Sequence, residues 1–156
     1  MAQIELDSID HKILEVLGRN ARIPNTELAD EVGLTPAPCL RRVKRLEEAG
    51  VIEGYFARLN ASSLGLGLTV FVSVTLDRQT KGSYDTFAQK IKVHPEVLEC
   101  YLLLGERDFL LKIMVSNLEA YQKFYLNHLT TITGVRNINS SIVVKEEKRS
   151  SALKIS

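Results

Sequence analysis

Two hydrophobic periods meet near residue 60 of the chain. Before it the spacing is helical: Leu6, Ile9, Ile13, Leu14, Val16 and Leu17 make one stripe, and Asp7 or Asp10 supplies the N-terminal cap or first-turn anion. A second, short helix is predicted over residues 25–31, entered through Pro24 and closed by Gly33. A third is predicted over residues 35–49, ending at Gly50. Thr35 suits its N-cap, and Pro36 and Pro38 fall in the first turn, where a missing N–H has no intrahelical partner to lose. That leaves the Ala37 N–H for the Thr35 hydroxyl. Leu40, Val43 and Leu46 should pack inward and turn Arg41, Arg42, Lys44 and Arg45 outward. Residues 52–59 read as a short strand, a wing or a linker.

Residues 60–67 carry Asn, two Ser and two Gly, a hinge composition. Beyond it the period changes to two. Leu68, Val70, Val72, Val74 and Leu76 alternate as a strand, and Tyr84, Phe87 and Ile91 mark a helix over residues 83–92 that ends before His94-Pro95. Strands over residues 97–104 and 108–115 follow, joined tightly through Gly105, then a helix over 118–129 and a last strand over 135–144. The fold class is therefore α+β: a winged helix-turn-helix domain over residues 1–59, a hinge, and a ferredoxin-like βαββαβ antiparallel sheet over 68–145 with a polar tail from 146. Helices cover one face of such a sheet, yet residues 97–104 and 109–115 are apolar almost throughout. A second copy on the open face is expected, hence a homodimer at least.

Composition narrows the function classes. No apolar run is long enough to span a bilayer, and the start of the chain lacks a signal peptide's pattern, so a cytoplasmic protein with no membrane partner is expected. Cys39 and Cys100 read as reduced core thiols, and His11, His94 and His128 are too scattered for a metal site. Neither a catalytic constellation nor a phosphate-cradling Gly loop is present, so no enzyme and no cofactor is expected. Net charge is +1 overall; residues 1–60 hold eight Lys and Arg against ten Asp and Glu, a net of −2. A case for nucleic acid must rest on charge placement.

Placement supplies it. The segment NTELADEVGLTPAPCLRRVKRL has the small residue, turn glycine and apolar anchors of a helix-turn-helix in Ala29, Gly33, Leu34 and Val43. The candidate DNA contacts are Asn25 at the start of the second helix, Thr35, Pro36, Ala37 and Pro38 at the tip of the third, and Arg41, Arg42, Lys44 and Arg45 beside phosphates. The alternative is a solvated basic face on a structural bundle. GERDF, residues 105–109, is on its own a hairpin turn.

Taken together, LDSIDHKILEVL, ARIPNTELADEVGLTPAPCLRRVKRLEEAGVI, ECYLLLGERDFLLKI and GVRNINSSIVVKEEK resemble, in order and separation, the segments of the Lrp/AsnC family of amino-acid-responsive transcription regulators. The resemblance covers residues 6–148. It implies a regulator of double-stranded DNA whose C-terminal domain forms dimers, assembles into octamers or similar rings, and holds an amino-acid effector between dimers. Carried over residue by residue, it points to Leu102, Gly105, Arg107, Asp108, Leu118, Ser141, Ile142 and Val143. Asp108 could hold a ligand ammonium or merely cap the hairpin; Leu102, Leu118 and Ile142 would form an apolar wall. Arg107 could pair with an acidic ligand or a neighbouring subunit, or face water. Pro24 departs from the capping residue usual in the family, at little expected cost. Two other readings stay open: an enzyme of related fold, such as a haem-precursor decarboxylase, and an amino-acid sensor that does not bind DNA.

Overall fold

A computed structural model describes residues 4–148 and divides the chain into two compact units, one running to Arg58 and one spanning Leu59–Glu146. The part of the expected tail beyond Lys148 lies outside the described residues.

The first unit contains α1 (Ser8–Arg19), α2 (Asn25–Val32) and α3 (Pro36–Glu48). Both acids proposed for the start of α1 serve there: Asp7 accepts from the Ile9 and Asp10 N–H groups, and the Asp10 side chain accepts from the Asp7 N–H, a reciprocal capping box. Gly33 ends α2 with φ +74°, which lets the Leu34 N–H return to the Ala29 carbonyl at 2.8 Å. Ile13, Val16, Leu28, Ala29, Val32, Cys39 and Leu46 form the core of this unit.

Three expectations need correction here. The Thr35 hydroxyl makes no capping bond, although Thr35 is the N-cap residue and its carbonyl accepts from the Cys39 N–H. Leu40 does not pack inward: it is 44% exposed, and the buried register of α3 runs through Cys39, half-buried Val43 and Leu46. Residues 52–59 form no strand, since a ladder needs a neighbour and no described segment pairs with them. Phe56 is 87% exposed in that stretch.

The second unit is a four-stranded antiparallel sheet in the order β2 (Val97–Leu102), β3 (Phe109–Val115), β1 (Leu68–Leu76), β4 (Val135–Ile142). With α4 (Lys81–Lys92) between β1 and β2 and α5 (Leu118–Phe124) between β3 and β4, this is the expected βαββαβ arrangement. The strands over 97–104 and 135–144 stop short of their expected ends, and the second helix passes after Phe124 into a π turn, Tyr125–Leu129. Val70, Val72, Val74 and Leu76 on β1 and Phe109, Leu111, Ile113 and Val115 on β3 bury one face under Phe87, Ile91, Tyr121, Phe124 and Leu129.

The other face is less apolar than expected. Lys112 pairs with Glu99 at 2.8 Å, the Tyr101 hydroxyl donates to Glu99 at 2.8 Å, and Arg107 donates to the Ser73 hydroxyl at 2.7 Å. Phe71, Leu110 and Met114 share this face by register with Ser73 and Lys112.

Candidate functional site

In the helix-turn-helix, the tip of α3 is open: Thr35, Pro36 and Ala37 are exposed and Pro38 half-buried. Asn25 is not free to reach outward, because its amide donates to the Pro36 carbonyl at 2.8 Å and ties the start of α2 to the start of α3. Helical spacing then separates the four cations into two stripes. Arg41 and Lys44 are exposed beside Ala37 and Leu40, and no ion pair of the described residues reaches them.

Arg42 and Arg45 turn toward α1. Arg42 Nη1 lies 2.7 Å from Asp7 Oδ2 and 2.9 Å from Asp10 Oδ1, and Arg45 Nη2 bonds Asp10 Oδ2. The Asp7 carboxyl is lowered to about 2, chiefly by the Asp10 N–H and then by the Arg42 guanidinium, and Arg42 is raised in turn. A groove of about 420 Å³ runs along Leu34, Pro38, Arg41, Arg42 and Arg45. Sequence reasoning read Asp7 and Asp10 only as caps. The missed signal was the position of Asp10 on the apolar stripe between Ile9 and Ile13, where a charge must find a partner. It also assigned Leu40 to the core and so missed it as an outward apolar side chain.

In the sheet unit, the eight effector candidates fall into two groups. Leu102, Gly105, Arg107 and Asp108 lie at the β2–β3 link; Gly105 has φ +150°, which a side chain would strain. Ser141, Ile142 and Val143 close β4, and Leu118 opens α5 three residues past the end of β3. By register Leu102 faces Phe109, Phe109 faces Val74 and Val74 faces Ile138, four residues before Ile142. The groups thus occupy diagonal corners of the sheet, about 14 Å across and about 13 Å along. One copy of the chain does not bring them together.

Asp108 does not offer its carboxylate to solvent. It is 2% exposed, and its oxygens accept from the Leu76 N–H at 2.7 Å and the Tyr84 hydroxyl at 3.2 Å. Its own N–H donates to the Val74 carbonyl and its carbonyl accepts from Leu103, so the residue fastens the link to the end of β1. Desolvation first, and the adjoining Asp108 carboxylate second, raise the Tyr84 hydroxyl. Tyr84 and Ser73, the partners of Asp108 and Arg107, were not marked by the sequence reading.

Comparison with known proteins agrees across both units. Residues 69–153 match the Lrp/AsnC ligand binding domain, and residues 6–53 match a winged helix-turn-helix DNA-binding domain. The chain is 43% identical over 148 residues to a leucine-responsive regulatory protein of Rhizobium meliloti, covering 95% of each. It is 45% identical over 141 residues to the Bkd operon transcriptional regulator of Pseudomonas aeruginosa, covering 90% of this chain and 92% of that one. Among solved structures, a transcriptional regulator of Neisseria meningitidis in complex with L-Met superposes with a TM-score of 0.91 at 42% identity, covering 96% and 97% of the two chains.

Proposed function

Because the chain belongs to the Lrp/AsnC family of transcription regulators, with a helix-turn-helix domain and a ligand-binding domain, we propose that it reads specific DNA sites through α3 and changes its assembly or DNA affinity on binding an amino acid. It is a regulator rather than an enzyme, so the decarboxylase reading falls away. The carrying observation is the outward face of α3. Ala37 and Leu40 offer apolar contact to thymine methyls, and Arg41 and Lys44 offer charge to the phosphates on either side. Two copies related by a two-fold axis would place two such helices about one DNA turn apart on a pseudo-palindrome. No helix among the described residues is long and apolar enough to cross a membrane, and the cytoplasm, where DNA is reached, is the working compartment of this reading.

The effector reading rests on the diagonal corners. A ligand touching both Leu102 and Ile142 must lie between copies, which couples its binding to assembly as a homodimer and then a ring. That coupling is the differential affinity an effector needs in order to shift one state against another. The Neisseria relative bound to L-Met makes an amino acid the first ligand class to test. In this arrangement Arg107, Gly105 and the aliphatic residues meet the ligand, while Asp108 fixes the shape of the link. Calorimetric titration with L-Met and L-Leu, paired with sedimentation, tests it. Binding that changes oligomer size and is lost in both Leu102→Asp and Ile142→Asp supports a shared site; binding to an isolated subunit, or loss in one variant only, contradicts it.

A further inference from the structure

We infer that Asp10 is a positioning residue that decides which cations of α3 face DNA, locking Arg42 and Arg45 onto α1 and leaving phosphate neutralisation to Arg41 and Lys44. The inference rests on the DNA-binding reading above. Asp10 is fully buried, and a carboxylate there must be paired or neutralised. It is paired three ways: Arg42 Nη1 donates to one oxygen at 2.9 Å, and Arg45 Nη2 and the Asp7 N–H donate to the other. Asp7 closes the set, its Oδ2 accepting from Arg42 at 2.7 Å while its Oδ1 caps the Ile9 and Asp10 N–H groups.

Two carboxylates thus meet two guanidiniums, and the cluster carries no net charge. Counterion release counts phosphates neutralised by uncompensated cations, so this cluster adds little to salt-dependent binding. Its effect is geometric. Arg42 and Arg45 lie three residues apart on α3, and holding both to one buried acid on α1 reinforces the rotation of α3 that the core packing of Cys39 and Leu46 sets. That rotation is what turns Ala37, Leu40, Arg41 and Lys44 outward.

The test is the salt dependence of binding to a fluorescent mixed-sequence duplex of about three helical turns, using the full chain. Arg41→Gln and Lys44→Gln should each lower the log–log slope by about 1 per domain, whereas Arg42→Gln leaves it within about 0.3. Asp10→Asn, which keeps the shape and removes the charge, should steepen the slope toward about 1 more per domain as an arginine is released. A merely structural aspartate would not steepen it. If Arg42→Gln flattens the slope as much as Arg41→Gln, or if folded Asp10→Asn leaves it unchanged, the inference is overturned. Should Asp10→Asn fail to fold, the comparison of Arg42→Gln with Arg41→Gln decides alone. A wild-type protein with no salt-dependent binding overturns the DNA reading itself and this inference with it, an outcome distinct from equal slopes among the variants.

Discussion

Replacing Asp108 by Ala removes both acceptors from a buried site that holds two donors. The carboxylate accepts the Leu76 N–H at 2.7 Å and the Tyr84 hydroxyl at 3.2 Å. Alanine offers neither oxygen, so the buried Leu76 N–H is left without a partner and the Tyr84 hydroxyl must turn elsewhere. The shorter, charge-assisted bond to Leu76 contributes about 1.5–3 kcal/mol, and the longer one to Tyr84 about 0.5–1.5 kcal/mol. Part of the loss is offset because a charge no longer has to be buried, which leaves an expected destabilisation of about 2–4 kcal/mol. Urea unfolding followed by tyrosine fluorescence suits a chain without Trp, and the midpoint should fall by about 1–2 M. Tyr84→Phe, which removes only the weaker donor, should cost about 1 kcal/mol. An Asp108→Ala variant within about 0.5 kcal/mol of wild type that has lost amino-acid binding would refute the brace and return Asp108 to the ligand.

Three further outcomes follow from the same geometry. Leu46→Ala, at a fully buried position of α3, should destabilise the helix-turn-helix by about 2–5 kcal/mol in denaturant melts, since the surrounding helices cannot close the cavity. The folded Asp7 carboxyl is depressed from 3.8 to about 2, so its contribution is complete above about pH 4 and is lost as pH falls through about 2; denaturation at pH 5, 3 and 2 should show a loss that Asp7→Asn flattens. Gly105→Ala meets no atom within 4 Å but imposes a side chain on φ +150°, so thermal melts should show a cost of about 1–3 kcal/mol from backbone strain alone.

Much of the fold was legible because each unit obeys one hydrophobic period. Val70, Val72, Val74 and Leu76 announced a strand, and Ile13 and Val16 a helix face, because burial on one side forces that spacing. Leu40 misled for a related reason. On α3 both Cys39 and Leu40 satisfy a helical spacing to Val43 and Leu46, and only packing against α1 and α2 chooses the smaller residue for the core. Residues 52–59 carry the composition of a strand, but pairing is a property of two segments, and no described segment supplies the second.

The site was readable by residue type and not by partnership. Four cations within five residues marked α3, but which of them are already neutralised depends on Asp7 and Asp10, some thirty residues earlier. Likewise GERDF read on its own as a hairpin turn and became a candidate site only through the family resemblance, while the burial of Asp108 under Tyr84 and against the end of β1 is a tertiary fact. The separation of Leu102 from Ile142 came only with strand order, which places β2 and β4 on opposite edges.

The central claim is that this chain is a DNA-binding regulator answering to an amino acid, and it is tested most directly by selecting genomic DNA fragments on the purified protein with and without each amino acid. The account predicts recovery of a small set of promoter fragments sharing a pseudo-palindromic site, with one amino acid changing their yield. Uniform recovery of fragments, unaltered by any amino acid, would contradict it.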